Sequence, residues 1–128
     1  MQFDKDLNSD NAELFLDVRE FVTNEIQKYV QKVEEKYSQN ITTLFCKEFS
    51  SAFCYLRTKD DYVHIGWFNG AKIVDTYGLL FGSGKHIRGH KVNKLAKVQK
   101  EAIEFYVEQS YIRLVEKEEL KRMKTCSR

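Results

Sequence analysis

The apolar residues of this chain change their period twice. Between Asp10 and Tyr37, the residues Phe15, Val18, Val22, Ile26, Tyr29, Val33 and Tyr37 recur at steps of three and four. That spacing lays them on one face of a helix. In YVHIGWF, from Tyr62 to Phe68, Val63, Ile65 and Trp67 alternate with Tyr62, His64, Gly66 and Phe68. Period two belongs to a strand with two unlike faces. After Asn93 the helical step returns with Leu95, Val98, Ala102, Phe105 and Tyr106, then Ile112 and Val115. Helix, strands, helix is the order of an α+β fold. The expectation is a two-layer sandwich: an antiparallel sheet with the N- and C-terminal helices packed on one face.

The punctuation sharpens this outline. Asp10 can cap a first helix over residues 10–37, with Glu13 reaching back as in a capping box; a break near residue 30 stays open, because no punctuation residue settles it. Ile41–Phe45, Ser51–Thr58 and Tyr62–Phe68 are β-prone, and Lys59-Asp60-Asp61 is a hairpin-length connection. Asn69-Gly70 is a tight-turn signal, so Ala71–Val74 is the next short strand. Asp75–Gly84 is loop and Lys85–Val92 a last strand. Asn93 is a good N-cap for a final helix to about residue 122, with a frayed tail over 123–128. The 128 residues form one domain on the usual size prior.

No apolar run is long enough to span a membrane. The start, MQFDKDLNSDNAE, lacks the basic and apolar regions of a secretory signal, so a cytoplasmic location is expected. Three cysteines, Cys46, Cys54 and Cys126, form no C-x-x-C pair, which argues against a zinc ribbon or disulfide framework. Cys54 and His64 could meet across a hairpin, but nothing in the sequence would activate the thiol. Charge is unevenly spread. Residues 1–40 carry nine acids and five bases, while residues 41–100 carry four acids and ten bases. Such asymmetry can mark a partner surface.

The basic stretch is Lys85, Arg88, Lys91, Lys94, Lys97 and Lys100, with His86 and His90 and no acid. It could attract a small anion or an acidic protein by charge. A pI near 8.4, aromatics mostly in patterned core positions and no recognisable RNA-binding sheet motif argue against nucleic acid. Gly82-Ser83-Gly84-Lys85 fails as a Walker loop: Gly78 and Gly84 are separated by five residues, and His86 follows the lysine. A glycine-rich bend beside Lys85 can still turn N–H groups toward an anion. His86 and His90 on one strand face would stand about 13 Å apart, too far to share a metal. No catalytic constellation is legible, although His86 or His90 could serve acid–base chemistry on an acidic metabolite.

The stretch YVHIGWFNGAKIVDTYGLLFGSGKHIRGHKV resembles the YdhG-like small bacterial domains of unknown function. Gly66, Phe68, Gly70-Ala71, Asp75, Gly78-Leu79-Leu80, Gly82, Gly84-Lys85, Arg88 and Lys91 stand in register with that family's pattern. Thr76 replaces the family's proline, Phe81 its acid before the bend, and Gly89 the histidine after the arginine. The resemblance implies a frataxin-like sandwich and, for some relatives, an iron chaperone serving iron–sulfur assembly proteins. Weakly bound iron would then sit on acids of the first helix, here Asp10, Glu13, Asp17 and Glu20. The leading expectation is a non-enzymatic binding or accessory domain without a cofactor. Its candidate site is the Gly-rich loop 82–88, with Trp67, Asn69, Lys85, His86 and Arg88. Lys85 and Arg88 would engage a carboxylate or phosphate, and Trp67 is either the floor of the site or core.

Overall fold

The computed structural model describes residues 1–126. The N-terminal region makes two helices, α1 (Gln2–Leu7) and α2 (Ala12–Ile26). Six strands follow: β1 (Glu34–Tyr37), β2 (Thr42–Cys46), β3 (Ser51–Lys59), β4 (Tyr62–Trp67), β5 (Leu80–Phe81) and β6 (Arg88–Val92). The long helix α3 (Lys97–Cys126) closes the chain. The strands form one antiparallel sheet in the order β1-β2-β3-β4-β6-β5. The fold is α+β, as the periodicity requires.

The alternation of β4 sets the layers. Val63, Ile65 and Trp67 face the helices and are fully buried. Their register partners Leu56 and Cys54 on β3, and Val92 and His90 on β6, share that face. Phe15, Val18, Val22 and Ile26 of α2 complete the core, with Ala102, Ile103, Tyr106 and Val107 of α3. An extra residue, Phe53, enters β3 where its register against β2 shifts between Leu44 and Phe45. Asp60 takes φ 49° in the two-residue turn that joins β3 to β4.

Several boundaries differ from expectation. The helix expected over 10–37 ends at Ile26, and Glu34–Tyr37 is instead the edge strand β1. Its Glu35 faces α2 and accepts from Arg19 Nε at 2.5 Å. Asp10 does not cap α2. Asn11 holds the N-cap position without a side-chain cap bond, and its amide donates to the Asp60 carbonyl at 2.7 Å. Asn69-Gly70 opens a 3-10 turn over Gly70–Lys72 rather than a hairpin, and Val74, expected in a strand, is 81% exposed. Gly70 is needed for close approach: a Cβ there would meet the Arg88 backbone nitrogen at 2.9 Å. β5 lies inside the expected loop. Asn93 is not the cap of α3, which starts four residues later. Its buried face holds Ile103, Val107 and Leu114, whereas Val98 and Ile112 are exposed. The tail expected to fray is helical as far as Cys126, and residues 127 and 128 lie outside the described residues.

Asp6 ties α1 to the sheet. Its buried carboxylate accepts from the Gln2 amide at 2.8 Å and from the Thr58 N–H and hydroxyl at 2.9 and 2.6 Å. Removing one partner of a buried hydrogen bond strands the other. Asp6→Ala is therefore expected to cost about 2–3 kcal/mol in urea unfolding, and Asp6→Asn, which keeps an acceptor, distinctly less.

Candidate functional site

The glycine-rich segment folds as two separate parts. The first is locked by Asp75, whose carboxylate accepts from Gly78 N and Leu80 N, both at 2.9 Å, and from the Tyr106 hydroxyl at 2.5 Å. Burial raises the Asp75 pKa, but the Tyr106 hydroxyl and the N–H groups of residues 78–80 outweigh it and hold the carboxyl below its ordinary value. Gly78 and Gly82 take positive φ, 69° and 111°, which other residues adopt only under strain. The second part, residues 82–87, is exposed. There the Arg88 guanidinium Nη1 donates to the carbonyls of Gly84 and Ile87. A carbonyl pair so held points oxygens, not N–H groups, at Arg88. The arginine works as a staple of the loop.

Trp67 is core and not a floor. It is fully buried, and its indole N–H donates to His90 Nδ1 at 3.3 Å. His90 is equally buried, with Nε2 2.7 Å from Gln99 Oε1. His86 lies in the exposed loop, so the two histidines do not share a strand face. His64 lies on the opposite sheet face, against Tyr55. Cys54 faces the core, where burial pushes its thiol pKa up, and so lies across the sheet from His64. Among the described residues no group of three or more His, Cys, Asp or Glu side chains is arranged to hold a metal ion.

Two predicted residues, Asn69 and His86, do come together. They line a hollow of about 270 Å³ with Ser51, Ala52, Phe68 and Lys117. Asn69 is buried and accepts from Lys117 Nζ at 2.7 Å. Arg113, Lys117 and Lys121 are four residues apart on α3, the spacing of neighbours on a helix surface. Burial, then Arg113 and Lys121, lower the Lys117 pKa. Arg113 Nε is buried without a hydrogen-bond partner. No carboxylate lines the hollow. Lys85 is exposed and outside the lining. The helical ridge was missing from the sequence reading, although the four-residue step of Arg113, Lys117 and Lys121 is visible in it.

The four acids are exposed and strung along the α2 edge. Asp10, Glu13 and Asp17 border one shallow groove with Lys94, and Asp17 and Glu20 a second with Lys100. Lysines opposite carboxylates compete with a cation for them.

No helix among the described residues is long and apolar enough to cross a membrane. Comparison with protein-family models, curated proteins and solved structures finds no match for this chain.

Proposed function

We propose that this chain is a non-enzymatic cytoplasmic accessory domain that takes a small oxyanion, a phosphate or carboxylate, in the hollow between residue 86 and α3. One observation carries the reading. A lysine is held by a buried asparagine at the mouth of a hollow that contains a histidine and a serine but no acid. Burial first, and then two further cations of its own helix, depress the Lys117 pKa. An anion there would relieve the repulsion and bring charge-assisted hydrogen bonds. The YdhG-like resemblance fits an accessory role. Its iron-delivery alternative, through Asp10, Glu13, Asp17 and Glu20, gains less from the geometry, because lysines share both acidic grooves.

A thermal-shift titration tests the reading. Phosphate or citrate at tenfold its Kd should stabilise the fold by about 1.4 kcal/mol, and Lys117→Ala should remove that gain. Lys85→Ala should keep it. A shift lost with Lys85 but not with Lys117 would move the site to the loop tip. A response to ferrous iron alone, abolished by Asp17→Ala and Glu20→Ala, would favour iron delivery.

A further inference from the structure

The three helices cover one face of the sheet. The other face carries side chains that the core does not use. Its centre is a cross-strand pair of glycines, Gly66 opposite Gly89. With no Cβ at either position, neighbouring rings close over the backbone, Tyr55 and His64 tilted 30° to each other and Phe68 and Phe81 edge-on to them. A Cβ on Gly66 would fall 2.0 Å from the Tyr55 ring, and one on Gly89 would fall 2.5 Å from Phe81 and 2.8 Å from His64. The rings form a row across four strands. Phe68 to Tyr55 is 5.6 Å between centroids, Tyr55 to His64 is 5.6 Å, and His64 to Phe81 is 5.7 Å. Phe81 is 42% exposed.

Cations surround this row. Lys91 Nζ stands 5.2 Å from the centroids of both Tyr62 and Phe81. Arg57 and Lys59 face the same way from β3, paired with His64 and Tyr62. Arg57 Nε is buried without a hydrogen-bond partner. Lys36 Nζ sits 3.6 Å over the Phe45 ring farther along the face. Among the described strand residues on this face, Glu34 on the edge strand β1 is the one carboxylate. After burial, Arg57, Lys59 and Lys91 are what lowers the His64 pKa, so their positive field reaches the ring row.

We infer that this open sheet face is a platform for single-stranded nucleic acid, with bases stacked on Tyr55, His64 and Phe81 and phosphates against Arg57, Lys59 and Lys91. Flat rings accept the π-face of any base, and cations beside them meet the backbone. A duplex keeps its bases stacked on each other and could use only the cations. A second copy of this chain would bring the same cations against themselves, so charge selects a polyanion over self-association.

Fluorescence anisotropy with labelled twelve-nucleotide U and dT strands, the matching duplex and heparin as competitor tests this. Wild type should bind the single strands more tightly than the duplex. Tyr55→Leu and Phe81→Leu should each weaken single-strand binding about tenfold, from the worth of one stacked base. Arg57→Gln and Lys91→Gln should each lower the log–log salt slope by about 0.7. Far-UV circular dichroism of each variant checks that it folds. Lys28→Ala, just beyond α2 on the helix side and paired with Glu25, should leave binding within about twofold of wild type. No binding at low salt would overturn the inference. So would duplex or heparin binding as tight as single-strand binding, with Tyr55→Leu and Phe81→Leu without effect, because that result describes a charged surface alone.

Discussion

Lowering the pH from 6.5 to 4 should cost the fold about 3 kcal/mol, and His90→Gln should remove most of that loss. His90 is fully buried on β6. Its Nδ1 accepts from the Trp67 indole, which fixes the neutral tautomer with the proton on Nε2, directed at Gln99. A second proton would break the Trp67 bond and put a charge in the core. Burial therefore lowers the pKa from 6.5 to about 4, against smaller upward pulls from Gln99 and Asp75. Below pH 6.5 the unfolded chain takes up a proton that the folded chain refuses until about pH 4. In that window the unfolded state binds more protons, so stability falls with falling pH. His64 adds a loss of the same sign, because burial and three nearby cations lower its pKa too. Asp75 acts lower still: its depressed carboxyl contributes stability that disappears as pH falls through its folded pKa. Urea unfolding at pH 7, 6, 5 and 4 reads the slope. An unchanged slope in His90→Gln would mean that the histidine is not held neutral by its surroundings.

Trp67→Ala should be the most damaging single substitution in the chain, costing about 3–5 kcal/mol, and Trp67→Phe about 1–2 kcal/mol. Trp67 has no exposed surface, and it lies 5.8 Å from Tyr106 edge-on and 6.5 Å from His90 in a stack. Truncation removes the largest buried side chain and leaves His90 Nδ1 without its donor. A domain of this size holds about 5–15 kcal/mol in all, so the alanine variant should lose at least about a fifth of its stability. Denaturation followed by circular dichroism checks both values. A loss below about 1 kcal/mol for Trp67→Ala would show that the indole is not a core element.

The strands β2, β3 and β4 were legible because β-branched and aromatic residues are concentrated there, and the two-residue turn at Asp60-Asp61 was legible with them; β6 carries little of that signal, and of the strand expected over Lys85–Val92 only Arg88–Val92 forms. Edge strand β1 was not. Glu34-Glu35-Lys36-Tyr37 has little β-propensity, and Tyr29, Val33 and Tyr37 continue the helical step of α2. What makes it a strand is tertiary: pairing with β2 and the Arg19–Glu35 bond. Helix α1 was missed because six largely polar residues give almost no periodic signal. The candidate site was half legible. Asn69 and His86 were found through their loop chemistry, but Lys117 arrives from a helix 48 residues away from Asn69, which no local motif announces. The aromatics were read as lying mostly in core positions. Register instead turns Tyr55, Tyr62 and Phe81 to the far side of the sheet, and a period of two cannot say which side the helices will cover.

The central claim is that Lys117, Asn69 and His86 hold an anion together. A ¹H–¹⁵N correlation titration with inorganic phosphate at fixed pH and ionic strength tests it most directly. The predicted result is saturable shifts concentrated at residues 69, 86 and 117 and absent in Lys117→Ala. Shifts spread over the exposed lysines without saturation, or confined to Lys85 and its loop, would contradict it.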